Sequence, residues 1–365
     1  MTINNFEEIF ESNKDNYARY KSVDSDLMHG NLDYIQNPLI TIAIPTYKRV
    51  DLLKLSIDSA IDQLDANCEY EIIIVDNDPC QSESSTEKLI KSYNNKKILY
   101  YKNQKNIGMF GNWNRCIELA RGKWIAFLHD DDMLNQRYIN NVLALLKRKK
   151  DIGAISSYFF TINNELAHNE QINNQNSITG NIIQTFIKKI EEKKLMRLHL
   201  IDDQIMNGYI FGAPTCGNIF NKKYLLNVGG FNEDYFPSSD WFFLINFSSK
   251  YKVYKAKCAF GYYRLFENES LKPETLRKFI DQAEKLRRYF SEKSKISKIL
   301  DILFSNEQYF STLSWVKNLG RNSDIDFEEI NKEYGYSYRP IRFFIYTKLK
   351  SLYWFTKRII TLIIG

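Results

Sequence analysis

Between residues 39 and 160, short apolar runs alternate with segments of helical period, and this alternation admits few folds. Residues 39–44, 71–75, 98–101, 124–129 and 152–160 are of strand length and rich in β-branched and aromatic residues, with Pro45 ending the first. Between them, Leu53, Ile57, Ala60, Ile61 and Leu64 recur at helical spacing. Residues 109–120 read as a helix closed before Gly122, and 135–149 as another with a basic last turn, as the helix dipole prefers. Strands and helices in strict alternation predict an α/β fold, a mostly parallel sheet covered by helices on both faces.

Beyond residue 160 the pattern loosens. Residues 161–181 are rich in Asn, Gln and Ser and predict an exposed loop or lid, and 182–265 are mixed, with a Gly/Pro-marked segment at 208–217 and a Gly229-Gly230 turn before strands near 252–264. Residues 273–334 read as helical throughout, and 1–38 as an N-terminal helical arm or loose leader. The predicted organisation is that arm, a catalytic-type domain over 39–265 (halves 39–160 and 161–265), and a helical region over 266–365.

Five dispersed cysteines with no CxxC pair argue against a disulfide framework or a zinc site and suit a reducing compartment. A net charge of +6 is mild for 365 residues; it suits anionic partners such as nucleotides or a phospholipid surface rather than a nucleic-acid-coating role. The first twenty residues do not form a signal peptide, and no apolar run approaches the roughly 20 residues a spanning helix needs. A cytoplasmic protein, or one on the cytoplasmic face of the inner membrane, is expected.

Open parallel sheets bind ligands where their strands end. Four polar clusters fall at such ends: Pro45-Thr46-Tyr47-Lys48-Arg49, Asp76-Asn77-Asp78, Asn106-Ile107-Gly108, and His129-Asp130-Asp131-Asp132. Each alone is weak, since Asp, Asn and Gly are ordinary turn residues, and three adjacent aspartates can also cap the next helix. In sequential register they suggest a nucleotide site, with Tyr47 stacking, Asp76 bonding base or ribose, and a carboxylate–metal unit holding a diphosphate. Neither GxGxxG nor a P-loop is present, so a divalent cation becomes the natural counter-charge for phosphate, and oxygen ligands favour Mg²⁺ or Mn²⁺.

In order and spacing, the runs Ile44 to Arg49, Val75-Asp76-Asn77, Asn106-Ile107-Gly108 and Leu128 to Asp132 resemble family-2 glycosyltransferases. The resemblance continues through Val228-Gly229-Gly230-Phe231, Ser239-Asp240-Trp241 and Tyr263-Arg264, covering roughly residues 38–265. It implies a GT-A fold and an inverting, nucleotide-sugar-dependent hexosyltransferase. By that resemblance Pro45, Tyr47, Arg49, Asp76, Asn106, Gly108, Asp130 and Arg264 would face the donor, Asp131, Asp132 and His129 the metal, and Asp240 would be the general base. His129 stands where the family usually has the first carboxylate of its Asp-x-Asp motif, and Ser239 where a Glu often precedes the base. Taken by itself, Asp240 reads more readily as a cap of the helix that follows than as a base. A nucleotidyltransferase is the competing enzyme class, but its Gly-rich basic loop after the first strand is missing; a non-catalytic nucleotide-sugar or glycan-binding module is the other alternative.

In residues 340–361, Arg342, Lys348, Lys350, Lys357 and Arg358 interleave with aromatic and aliphatic residues. This pattern predicts a helix in a membrane headgroup layer, and with it a lipid-linked or glycan acceptor in surface polysaccharide or lipopolysaccharide synthesis; the alternative is a C-terminal helix docked on the domain with its basic face in water.

Overall fold

The computed structural model describes residues 15–80, 82–162, 194–199, 216–264, 272–293, 295–319 and 326–364. Most of the predicted 161–181 loop and of the 208–217 segment lies outside these residues. The strands are β1 (Ser25–His29), β2 (Ile40–Thr46), β3 (Tyr70–Asp76), β4 (Ile98–Asn103), β5 (Trp124–Phe127), β6 (Met133–Leu134), β7 (Ile152–Ile162), β8 (Leu195–Arg197), β9 (Ile219–Asn221) and β10 (Lys252–Arg264). The helices are α1 (Val50–Ile61), α2 (Ser85–Ser92), α3 (Gly108–Leu119), α4 (Tyr138–Leu146), α5 (Lys222–Asn227), α6 (Ser239–Lys250), α7 (Pro273–Lys293), α8 (Lys295–Leu319), α9 (Phe327–Tyr334) and α10 (Pro340–Ile364).

All ten strands form one sheet in the order β1-β4-β3-β2-β5-β9-β7-β10-β6, with β8 on β10. The block β4-β3-β2-β5 is parallel, and β7 is parallel to β10; β9 joins the two halves through antiparallel pairs. Alternate residues of the parallel strands feed two cores. Ile40, Ile42, Ile44, Ile72 and Ile74 pack under α1 and α4, while Ala43, Ile73, Val75 and Phe127 pack under α3 and the C-terminal helices. Burial on both faces explains why these strands read as continuous apolar runs.

Three expectations need correction. Pro45 does not end its strand: β2 continues to Thr46, with Pro45 opposite Val75. Ala43 accepts from the Leu128 amide on the β5 side, so Pro45, two residues on, turns its donor-less nitrogen to that side, where β2–β5 pairing stops. The described part of the N-terminal segment is not a helical arm. After a single 3-10 turn at Ala18–Tyr20 it adds β1 antiparallel to β4, and Arg115 fastens it by donating to the Tyr20 and Val23 carbonyls. Finally, residues 273–334 form three separate helices among the described residues.

The C-terminal helices bear on the site through α6. Trp241 stacks on Phe279 of α7 (centroids 4.8 Å apart) and lies 5.4 Å from Trp315 of α8. Arg287 of α7 is held by buried Glu284 (2.7 Å) and by the Tyr336 hydroxyl (2.7 Å). These contacts fix the start of α6, where Asp240 sits.

Candidate active site

The aspartate turn after β5 is the centre of the polar cluster. Its backbone is clamped from below: Ser56 Oγ of α1 donates to the carbonyls of Asp132 (2.7 Å) and His129 (3.1 Å). From β10, the Arg264 amide donates to Asp132 Oδ1 (2.8 Å) and its Nε to the Asp131 carbonyl (3.0 Å). The antiparallel β6–β10 pairing that brings these together needs Gly261, since a Cβ there would stand 2.3 Å from the Met133 carbonyl oxygen.

Each carboxylate has its own environment. Asp130 Oδ2 accepts from Thr46 Oγ1 (2.8 Å), tying the turn to the end of β2. Asp131 pairs with Arg49 Nη1 at 2.7 Å. Asp132 pairs with His129 Nδ1 at 3.2 Å, and the His129 ring stacks on Trp113 of α3 at 4.9 Å. Ligand atoms of His129, Asp131 and Asp132 all lie within 4.8 Å of one another. Burial and its neighbour Asp131 push Asp130 up to about 6, and burial and Asp132 raise Asp131. Burial lowers the His129 pKa, but its bond to Asp132 and the surrounding carboxylates outweigh this and raise it overall. Too little positive charge serves this buried set, and a divalent cation would correct that imbalance. The two carboxylates suit Mg²⁺ or Mn²⁺, while an imidazole is a ligand that Mn²⁺ takes more readily than Mg²⁺.

Asp240 lies in the first turn of α6, where its Oδ1 accepts from the Trp241 amide (2.9 Å). Burial pushes it up to about 6, a rise opposed by that bond and by the charge of His129, which places the two within electrostatic reach. A carboxyl poised near neutrality and partly open to solvent is suited to accept a proton.

The remaining predicted residues fall into two groups. Tyr47 is 44% exposed at the rim, with Lys48 and Arg49 beside it, and Lys48 reaches Asp78 at 3.8 Å. Asn106 and Gly108 form the turn into α3, held by Asn77, which donates to Asn106 Oδ1 (2.9 Å) and to the Gly108 carbonyl (3.1 Å). Gly108, at φ +74°, occupies a conformation that suits glycine. Asp76 and Arg264 are used differently from expectation. Asp76 is 0% exposed, with Oδ2 accepting from Tyr100 (2.8 Å) and Oδ1 from the Asp78 amide (3.0 Å); it shapes the turn after β3 and is shielded from a base. Arg264 is 1% exposed, and its backbone amide and Nε hold the aspartate turn in place. Pro45 is likewise buried in the ladder.

Sequence reasoning missed Ser56, Tyr100 and Trp113. All sit inside ordinary-looking helices or strands, and only Trp113, within a polar Gly-Asn-Trp-Asn run opening α3, carries a local signal. Cys216 is buried and its thiol pushed far up by burial, which suits packing and not nucleophilic chemistry.

Residues 41–225, half of the chain, match the model of glycosyl transferase family 2. The chain belongs to that family. Its sheet and flanking helices are those of a GT-A glycosyltransferase, and the enzyme is a transferase. Asp240 and Arg264 lie beyond the matched stretch. Among curated relatives, it is 30% identical over 138 residues to an uncharacterized glycosyltransferase of Methanocaldococcus jannaschii, covering 37% of this chain and 45% of that one. It is 26% identical over 293 residues to the Campylobacter jejuni GalNAc(5)-diNAcBac-PP-undecaprenol beta-1,3-glucosyltransferase, covering 78% of this chain and 84% of the relative. A third relative is the Escherichia coli UDP-Glc:alpha-D-GlcNAc-diphosphoundecaprenol beta-1,3-glucosyltransferase, 30% identical over 121 residues, covering 33% of this chain and 46% of that one.

Proposed function

We propose that this glycosyltransferase moves a hexose from a UDP-sugar to a hydroxyl of a lipid-diphosphate-linked glycan with inversion, in surface polysaccharide or lipopolysaccharide synthesis. The observation that carries this is the gathering of His129, Asp131 and Asp132 around one point. The Escherichia coli relative is named for a UDP-glucose donor, and both it and the Campylobacter jejuni relative for undecaprenyl-diphosphate-linked acceptors, which supports these donor and acceptor classes.

Inversion needs a single in-line attack. Asp240 takes the proton from the acceptor hydroxyl as that oxygen closes on the anomeric carbon, and the nucleoside diphosphate leaves on the opposite side. Mg²⁺ or Mn²⁺ held by Asp131, Asp132 and His129 would supply positive charge to the departing diphosphate. Tyr47 stacks on the nucleotide at the rim, with Lys48 and Arg49 offering charge to its phosphates. Asp130 holds the end of β2 to the metal turn, and Asn106 and Gly108 shape the far wall of the donor cleft.

Acceptors of this class are membrane-bound, and α10 matches such a surface. Ile341 is 78% exposed, and Phe344, Leu352, Phe355, Ile360 and Ile363 follow at helical spacing as exposed apolar side chains. Lys348 and Lys357 lie over Phe344 and Trp354 (5.1 and 5.2 Å). No helix among the described residues is long and apolar enough to cross a membrane; the exposed apolar stripe of α10, with its basic residues, supports a helix lying among the headgroups in this reading.

Asp240→Asn tests the chemistry. Transfer to a polyprenyl-diphosphate-linked sugar falls about 10²- to 10⁴-fold while UDP-sugar binding by calorimetry is retained. Unchanged transfer would remove Asp240 as the base.

A further inference from the structure

The strands beside the metal turn carry a row of side chains that glycosyl transfer, as described so far, does not use. Met133 of β6 stands opposite Tyr262 of β10, and Tyr262 stands opposite Phe160 of β7. Residues directly opposite in neighbouring strands share a face, so the three form a row spanning about 10 Å across the sheet. The Phe160 and Tyr262 rings stack at 5.4 Å with 29° between their planes.

The face they occupy can be fixed. Leu134 belongs to the core under α1 and α4, and successive strand residues point oppositely. Met133, and with it Tyr262 and Phe160, therefore faces the side of α3 and α6, the side that carries Trp113 and Asp240. Arg264, two residues beyond Tyr262 on the same strand face, touches Asp131 and Asp132 directly. The row thus begins about 7 Å along the strand from the metal turn.

It is also accessible. Phe160 is 43% exposed, Tyr158 is exposed two residues earlier on the same face, and Tyr262 and Met133 are half-buried. Flat, partly exposed rings with a hydroxyl at one edge suit a ligand that is apolar on its faces and polar around its rim. The donor nucleotide lies at the opposite end of the site, by β2 and β3.

We infer that Phe160, Tyr262 and Met133 form a stacking subsite for the pyranose ring of the acceptor, which orients its hydroxyl toward Asp240. This subsite rests on the glycosyl-transfer assignment above and adds where the acceptor sugar sits and which residues hold it.

Methyl glycosides of glucose, galactose, N-acetylglucosamine and N-acetylgalactosamine are the probes, with saturation-transfer NMR on the full chain in the presence of UDP and Mg²⁺. At least one glycoside shows transfer to its ring protons in the wild type. Phe160→Ala and Tyr262→Ala each weaken that binding about 2- to 10-fold, whereas Tyr262→Phe, which keeps the ring, binds as the wild type does. Release of UDP from the UDP-sugar in the absence of acceptor stays at the wild-type rate in all three variants, which shows that they fold and that the donor half is intact. Three results would overturn the subsite: no glycoside binding in the wild type, equal binding in both alanine variants, or binding that requires an octyl aglycone and so reports a lipid-chain groove. Absence of UDP release with every donor in the wild type would instead strike the enzyme assignment itself.

Discussion

Asp240 and Asp130 are both held near 6 chiefly by burial, at a cost to the fold. A carboxyl whose folded pKa exceeds its unfolded value binds its proton more tightly when folded. Its burial is therefore destabilising above about pH 6, and the penalty disappears as the pH falls to about 4. Two outcomes follow for Asp240. The pH profile of kcat/KM rises through about 6 and levels off above it, because the base must be ionised. Asp240→Asn melts on the order of 2–5 °C higher than the wild type at pH 7.5, with the difference vanishing near pH 4. A lower Tm for the variant at pH 7.5 would show that the carboxylate is stabilising and its raised pKa misassigned. At this scale the sequence displayed the acidic turn and Asp240 plainly. It could not display that Tyr100, 24 residues away, would occupy the Asp76 carboxylate, or that Arg264 would turn inward, because both depend on strand register and not on local pattern.

Helix α10 is the element whose role is most exposed to test. Tyr346 is buried and Trp354 packs on the core, so removing the helix would open the domain as well as any docking face. Substitution on the outer face avoids this. The triple variant Phe344→Glu, Leu352→Glu, Phe355→Glu lowers partitioning onto phosphatidylglycerol-containing vesicles at least about 100-fold in a sedimentation assay, with UDP-sugar turnover in solution unchanged. Vesicle binding that survives these changes would show that the helix is packed structure alone. The amphipathic pattern made this helix legible, and the β/α alternation did the same for the strands β2 to β5. Elements without a period escaped: β6 is only Met133–Leu134, and β1, Ser-Asp-Leu-Met-His, is polar because it lies at a sheet edge and buries no residue fully.

The whole molecule joins two functions on one sheet. The parallel half delivers the ends of β2, β3 and β5, with their basic rim and acidic turn, to one edge. The half built on β7 and β10 brings Arg264 and the Phe160–Tyr262 pair beside that edge, and α6, braced by Trp241 against α7 and α8, adds Asp240. In the proposed reading, the C-terminal helices link the outer face of α10 to Asp240 through one packed layer. Family membership was legible in the order of four motifs, whereas the sharing of one sheet by both halves follows from β9, a three-residue strand between β5 and β7. The central claim is that the cluster of His129, Asp131 and Asp132 binds a cation for nucleotide-sugar turnover. The measurement that tests it most directly is nucleoside diphosphate release across a panel of nucleotide-sugars, with Mn²⁺, Mg²⁺ or EDTA, for the wild type and Asp131→Asn. The account predicts release from a UDP-hexose that depends on the metal and falls at least about 100-fold in the variant, with its fold retained by circular dichroism. Metal-independent release, or undiminished release by Asp131→Asn, would contradict it.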